Sequence, residues 1–311
     1  MDGRAGASQP KGNTEPRAGS EFTLVAFHMR EPYVGRMTDT ADFEAMEREG
    51  WSDPAIAKGY ADGFDVATRL IAKGLSEKIG AGQGMKVLDL CTGHGVVAAE
   101  LVARGASVVG LDFSEAMIQL AQNTVPAAQF VHGDAMNMTF ADQSFDAVTI
   151  GFGVPHFPDP ARGLAEAARV LKPGGRIAFS IWCGKGSDGS FGWLFDAFER
   201  LGDTSIALPA GPDAHMLTDR AVAEPMVADA GFTDVQLAAV PTELGIHAPE
   251  ALFDVFYGGA VRAASLLRRQ PRKHRDAIRQ DLAARVRSDG TRQQNGYLVP
   301  APSVIVSATR I

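Results

Sequence analysis

Cysteine is almost missing from this chain, which has only Cys91 and Cys183 among its 311 residues. Two such distant thiols build no disulfide framework and match no paired zinc spacing, so a reducing, cytoplasmic setting is expected. The seven histidines are scattered and none forms an i, i+4 pair, so no metal site is expected. Long apolar runs are lacking as well. None approaches the roughly 20 residues that span a bilayer, and the first residues lack the apolar core of a signal peptide; neither a membrane span nor export is expected. Positive charge is in deficit, with 30 Lys and Arg against 37 Asp and Glu. That balance argues against attraction of the whole chain to nucleic acid or anionic lipid.

What is present suits one large α/β unit with an appendage. The hydrophobic fraction is 45%, enough to close a sizeable core. Residues 1–28 are largely Gly, Ala, Ser, Pro, Asn and charged types, and a disordered tail is expected there. Over 39–84, Phe43, Met46, Ile56, Tyr60, Phe64, Ala67, Leu70 and Ile71 recur at three- and four-residue steps, the mark of amphipathic lead-in helices. Ser52-Asp53-Pro54 supplies an N-cap and a first-turn proline, and Gly80, Gly82 and Gly84 stop the last helix. From 85 to 248, short β-rich runs alternate with helical stretches, which predicts a parallel sheet wrapped by helices. A helical insertion over 249–296, broken at Pro271, then precedes a terminal strand within 297–311.

The sharpest local signal is Val87-Leu88-Asp89-Leu90-Cys91-Thr92-Gly93-His94-Gly95, an apolar strand running into a glycine-containing turn that opens a helix. Without a Cβ, Gly93 and Gly95 let the backbone turn tightly and approach a ligand. A second strand ends in Asp112 about twenty residues on, where doubly wound sheets grip a ribose diol. A dinucleotide is the rival ligand, since Ala98 falls where the third small residue of that fingerprint stands.

Five ordered segments carry a resemblance over about 51–181: the Asp89 to Gly95 loop, Val108-Val109-Gly110-Leu111-Asp112-Phe113-Ser114, Gly133-Asp134-Ala135, Phe145-Asp146-Ala147-Val148, and Arg169-Val170-Leu171-Lys172-Pro173-Gly174-Gly175. Together they resemble the class I S-adenosylmethionine-dependent methyltransferases, in the ubiquinone/menaquinone-biosynthesis C-methyltransferase-like branch. The resemblance implies a Rossmann-like sheet of seven strands with the last antiparallel, S-adenosylmethionine as cofactor, and methylation of a small-molecule acceptor at oxygen or carbon. It also implies a cofactor site that includes Asp89, His94 and Gly151, with the backbone near Gly93 and Gly95 facing the methionine part, Asp112 on the ribose, Phe113 on adenine, and Asp134 with Ala135 at the adenine edge; Tyr60, from the lead-in helices, is either a partner of the donor's carboxylate or core. Cys91 replaces the first glycine of the family's turn, and a small thiol fits there if its backbone angle is ordinary.

Gly151-Phe152-Gly153-Val154-Pro155-His156-Phe157 follows the fourth strand, where open α/β sheets meet their ligands. It lacks the Asp/Asn-Pro-Pro-aromatic motif of enzymes that methylate nucleic-acid bases. His156 is the candidate general base, because imidazole titrates near neutrality; packing in the loop is the alternative. Trp51 is read as core. The arginines over 262–292 are read as a solvated helix exterior, with a nucleic-acid face or a partner for an acidic substrate as the other readings. A cofactor-binding protein that does not methylate, and an RNA or protein methyltransferase, are the competing functions.

Overall fold

In the computed structural model, which describes residues 40–311, the chain opens with three helices: α1 (Ala41–Ser52), α2 (Pro54–Gly63) and α3 (Asp65–Ile79). The tail expected at 1–28 lies outside the described residues. Asp53 separates the first two helices, accepting a hydrogen bond from the Ala55 N–H while Pro54 occupies the first turn. Gly80, at φ +66°, ends α3 in the left-handed conformation that glycine adopts without a Cβ clash.

The alternating part follows in order: β1 (Lys86–Leu90), α4 (Val96–Ala103), β2 (Ser107–Asp112), α5 (Glu115–Thr124), β3 (Gln129–His132), β4 (Phe145–Ile150), α6 (Pro160–Val170), β5 (Leu171–Trp182), α7 (Ser190–Leu201), α8 (Arg220–Asp229) and β6 (Phe232–Val240). The rest comprises β7 (Glu243–Ile246), α9 (Ala251–Gly259), α10 (Val261–Arg269), α11 (Arg272–Asp289), β8 (Thr291–Gln293), β9 (Gly296–Pro300) and β10 (Ser303–Arg310). Seven strands form one sheet in the order β3-β2-β1-β4-β5-β10-β6, with β10 antiparallel to both neighbours. This is the α/β sheet that the resemblance implied. Its order reverses at β1, between β2 and β4, and the crevice at the carboxyl ends of these strands is where such sheets bind ligands.

Alternation along the strands feeds two apolar layers. Val87, Val108 and Ala147 pack under α3 and α4, whereas Leu88, Val109 and Val148 face the layer that α6 and α8 cover. Burial on both faces explains why these strands read as nearly continuous apolar runs.

The segment between β6 and β10 holds more than helices. β7, β9 and β8 pair as a separate antiparallel sheet, and the helical stretch breaks at Ala260 as well as at Pro271. The helices α2 and α9 meet backbone to backbone: a Cβ on Gly59 would lie 2.2 Å from the Gly258 carbonyl oxygen. Among the described residues no helix is long and apolar enough to cross a membrane.

Candidate functional site

The turn after β1 is built on three left-handed residues: Cys91 at φ +52°, Gly93 at φ +54° and Gly95 at φ +89°. The condition under which a small thiol is expected to fit this turn, an ordinary backbone angle, is therefore not met: Cys91 takes the glycine-like conformation itself. A non-glycine residue in this region costs roughly 1–2 kcal/mol, which the surrounding strand ends must offset. Burial, and then the negative charge of Asp112, pushes the Cys91 thiol well above its usual range, so it stays protonated and inert. At Gly95 a Cβ would press within 3.2–3.3 Å of Ala121 on α5. At Gly93 it would meet only the Cys91 carbonyl oxygen, at 3.9 Å, so that backbone faces open space.

Asp112 ends β2 with its carboxylate braced on the turn. Oδ2 accepts the Gly93 N–H at 2.9 Å and Oδ1 the Ser114 N–H at 2.9 Å. Each oxygen keeps a further acceptor position, and Asp112 lines the cavity at this end of the sheet. Burial raises the Asp112 pKa, and the two amides oppose that rise. Asp89 behaves differently. It is fully buried, with Oδ2 accepting the Thr92 hydroxyl and Oδ1 the Thr149 hydroxyl, both at 2.7 Å, and it lines neither cavity of the site. Burial pushes its pKa up to about 7. Asp134 follows β3; Oδ1 accepts the Met136 N–H at 2.8 Å and Oδ2 the Arg48 guanidinium at 2.6 Å. The same guanidinium lies 5.3 Å from the Phe113 ring centroid.

The lead-in helix α1 lies over this edge. Glu47, Arg48 and Trp51 project from it, and Ser114, the N-cap of α5, donates to the Trp51 carbonyl oxygen at 2.6 Å. Glu47 is 2% exposed. Its Oε2 takes His156 Nδ1 at 2.8 Å and Trp51 Nε1 at 3.2 Å, and its Oε1 takes Arg262 Nε at 2.6 Å. Burial works against the Glu47 charge, but His156 and then Arg262 outweigh it and hold the carboxyl below its usual range. Arg262 also donates to the carbonyl oxygens of Pro155 and Pro212. Trp51 is buried, as expected, yet its indole is part of this polar cluster. Tyr60 packs edge-on to Trp51 and to His94, with ring centroids 5.3 and 6.0 Å away.

Two concavities result. One, of about 380 Å³, is lined by Arg48, Asp112, Phe113, Asp134, Ala135 and His156. The other, of about 360 Å³, is lined by Tyr60, Gly93, His94, Gly151 and Phe152. Cys91 lines both. In the second, His94 Nε2 is buried without a hydrogen-bond partner among the described residues, and burial lowers the pKa of its ring. A buried, unpartnered ring nitrogen beside an open glycine backbone suits a polar ligand end. The structure thus brings together Gly93, His94, Gly151 and Tyr60 on one side, and Asp112, Phe113, Asp134, Ala135 and His156 on the other. Gly95 stands behind the turn and Asp89 beneath it.

Glu47, Arg48 and Arg262 were not singled out from the sequence as site residues. The one available signal was Glu47 itself, a carboxylate at the four-residue spacing of Phe43 and Trp51 and hence on the apolar stripe of α1. Arg262 belonged to the arginine-rich segment read as solvated, but it turns inward. Farther along, Arg279 pairs with Asp254 and Arg287 with Glu250, so acidic neighbours neutralise part of that face.

Residues 88–179 match the family described as Methyltransferase domain. A demethylmenaquinone methyltransferase of a Mycobacterium species is 40% identical over 141 residues, 44% of this chain and 60% of that protein. The Corynebacterium kroppenstedtii demethylmenaquinone methyltransferase is 53% identical over 95 residues, 30% of this chain and 40% of that protein. The chain thus spans roughly half the length of these curated relatives. The Haemonchus contortus phosphoethanolamine N-methyltransferase 2, solved with S-adenosyl-L-methionine, superposes with a TM-score of 0.53 at 16% identity, over 86% of this chain and 60% of that one, a likeness of fold. Residues 88–179 thus match a methyltransferase domain and are similar in sequence to the demethylmenaquinone methyltransferases, within the seven-stranded sheet already described.

Proposed function

We propose that this chain transfers the methyl group of S-adenosylmethionine to a small-molecule acceptor, at carbon or oxygen, in the cytoplasm. The observation that carries the reading is the Asp112 carboxylate, braced by the Gly93 and Ser114 amides and lining the cavity at the sheet's switch point. In this reading its free lone pairs accept the ribose hydroxyls, Phe113 packs on the adenine, and Asp134 with the Ala135 backbone meets the adenine edge as Arg48 yields its place. Gly93, Gly95 and Gly151 shape the backbone around the methionine part, the His94 Nε2–H donates to its carboxylate, and Tyr60 closes that side. Asp89 acts through Thr92, which it holds in the turn. When bound, the cofactor supplies an electrophilic methyl group on a cationic sulfonium. The protein aligns the acceptor behind that carbon, excludes water, and takes up the acceptor's proton at His156.

The relatives' name, demethylmenaquinone methyltransferase, makes a reduced naphthoquinone the first acceptor to try. Full-length chain incubated with methyl-tritiated S-adenosylmethionine and 1,4-dihydroxynaphthalene, kept reduced, is expected to yield a labelled naphthalene product. Absence of transfer both to this compound and to small molecules of a bacterial extract would sink the proposal.

A further inference from the structure

The cluster around Glu47 goes beyond a helix contact. Its three partners come from separate parts of the chain: Trp51 from α1, His156 from the loop after β4, and Arg262 from the start of α10. A carboxylate 2% exposed is costly to bury unless every oxygen is engaged, and here both are. Trp51 Nε1–H lies 3.2 Å from Glu47 Oε2 and 3.4 Å from His156 Nδ1; the ionised carboxylate only accepts, so the shorter 2.8 Å contact between Oε2 and Nδ1 places the His156 proton at Nδ1 and leaves the Trp51 N–H to the same oxygen. The remaining ring nitrogen, Nε2, makes no hydrogen bond among the described residues, and the ring is a quarter exposed at the cavity that Asp112 lines.

We propose that Glu47 is the positioning residue of a proton-accepting dyad. It fixes the His156 tautomer so that Nε2 is free for the acceptor's proton, and Arg262 fixes Glu47. The acceptor is then one whose reacting atom bears, or is conjugated to, an acidic proton. That proton moves from the acceptor to Nε2 while the new bond to the methyl carbon forms and the carbon–sulfur bond breaks, leaving a neutral thioether and an imidazolium facing the Glu47 charge. This rests on the methyl-transfer reading.

Two measurements test it separately. In the full chain labelled with ¹⁵N in its histidine rings, NMR is expected to report His156 as the Nδ1–H tautomer in wild type and a mixture of tautomers in Glu47→Gln. An Nε2–H tautomer in wild type overturns the dyad whether or not methyl transfer holds. With 1,4-dihydroxynaphthalene as acceptor, Glu47→Gln is expected to lower kcat about 100-fold with KM nearly unchanged, and Glu47→Asp to restore part of the rate. A loss confined to KM, or no rescue by Asp while both variants keep wild-type melting behaviour, overturns it as well. Should wild type transfer nothing while its tautomer is as expected, the methyl-transfer reading falls and the Glu47–His156 geometry stands.

Discussion

Fully enclosed between two threonine hydroxyls, the Asp89 carboxylate gives a stability signature that can be read in solution. Its folded pKa of about 7 lies above the ordinary 3.8, so the native state holds the proton more tightly than the unfolded chain. This contribution is complete below about pH 4, declines as pH rises toward 7, and is lost above it. The window corresponds to a contribution on the order of 4 kcal/mol. Urea unfolding across that range is expected to show the decline in wild type and a flatter curve in Asp89→Asn; parallel curves would refute it. The residues around Asp89 also show what a sequence discloses. Gly93, Gly95, Asp112 and Asp134 were legible because strand ends and turns fix their positions locally. Glu47, Arg48 and Arg262 were not, because their roles arise from contacts across many residues, Glu47 with Arg262 being 215 apart in sequence.

Between elements, Ser114 serves two helices. Its hydroxyl caps α5 by accepting the Met117 N–H at 3.2 Å and ties α1 down by donating to the Trp51 carbonyl oxygen at 2.6 Å. Ser114→Ala is expected to cost about 2 kcal/mol, a cap plus a buried hydrogen bond, seen as a lower urea midpoint with an unchanged slope. A cost under about 0.5 kcal/mol would show that the tie contributes nothing beyond ordinary surface substitution. The core strands were legible as short β-rich runs, because each is a brief apolar stretch between turn residues. β7–β9 were not, since β8 is three exposed residues and carries no apolar alternation. The turn joining β8 to β9 is Gln294-Asn295, with Gly296 already paired to Gln293, so the Asn295-Gly296 dipeptide was the signal available for a hairpin here but marks its turn one residue late. Gly258-Gly259 was the corresponding signal for the break at Ala260.

At the scale of the molecule, the lead-in helices and the helices before β10 close over one edge of the sheet, joined by the Gly59 contact with Gly258 and by the Glu47–Arg262 pair. Gly59→Val would thrust a branched side chain into the α9 backbone, since a Cβ alone lies 2.2 Å from the Gly258 oxygen. It is expected to lower stability by about 2 kcal/mol or more and to loosen cofactor binding by parting α2 from α9. Thermal melts with and without S-adenosylhomocysteine check both effects, and an unchanged melt would show that the close approach is not needed.

All of this turns on whether the Asp112 carboxylate holds the nucleoside of the methyl donor beside the Gly93 turn. Isothermal titration of the full chain with S-adenosylhomocysteine is the most direct measurement. One molecule is expected to bind per chain, with at least about tenfold weaker binding in Asp112→Asn, the equivalent of one charge-assisted hydrogen bond. No heat of binding in wild type, or equal affinity in the variant, would contradict it.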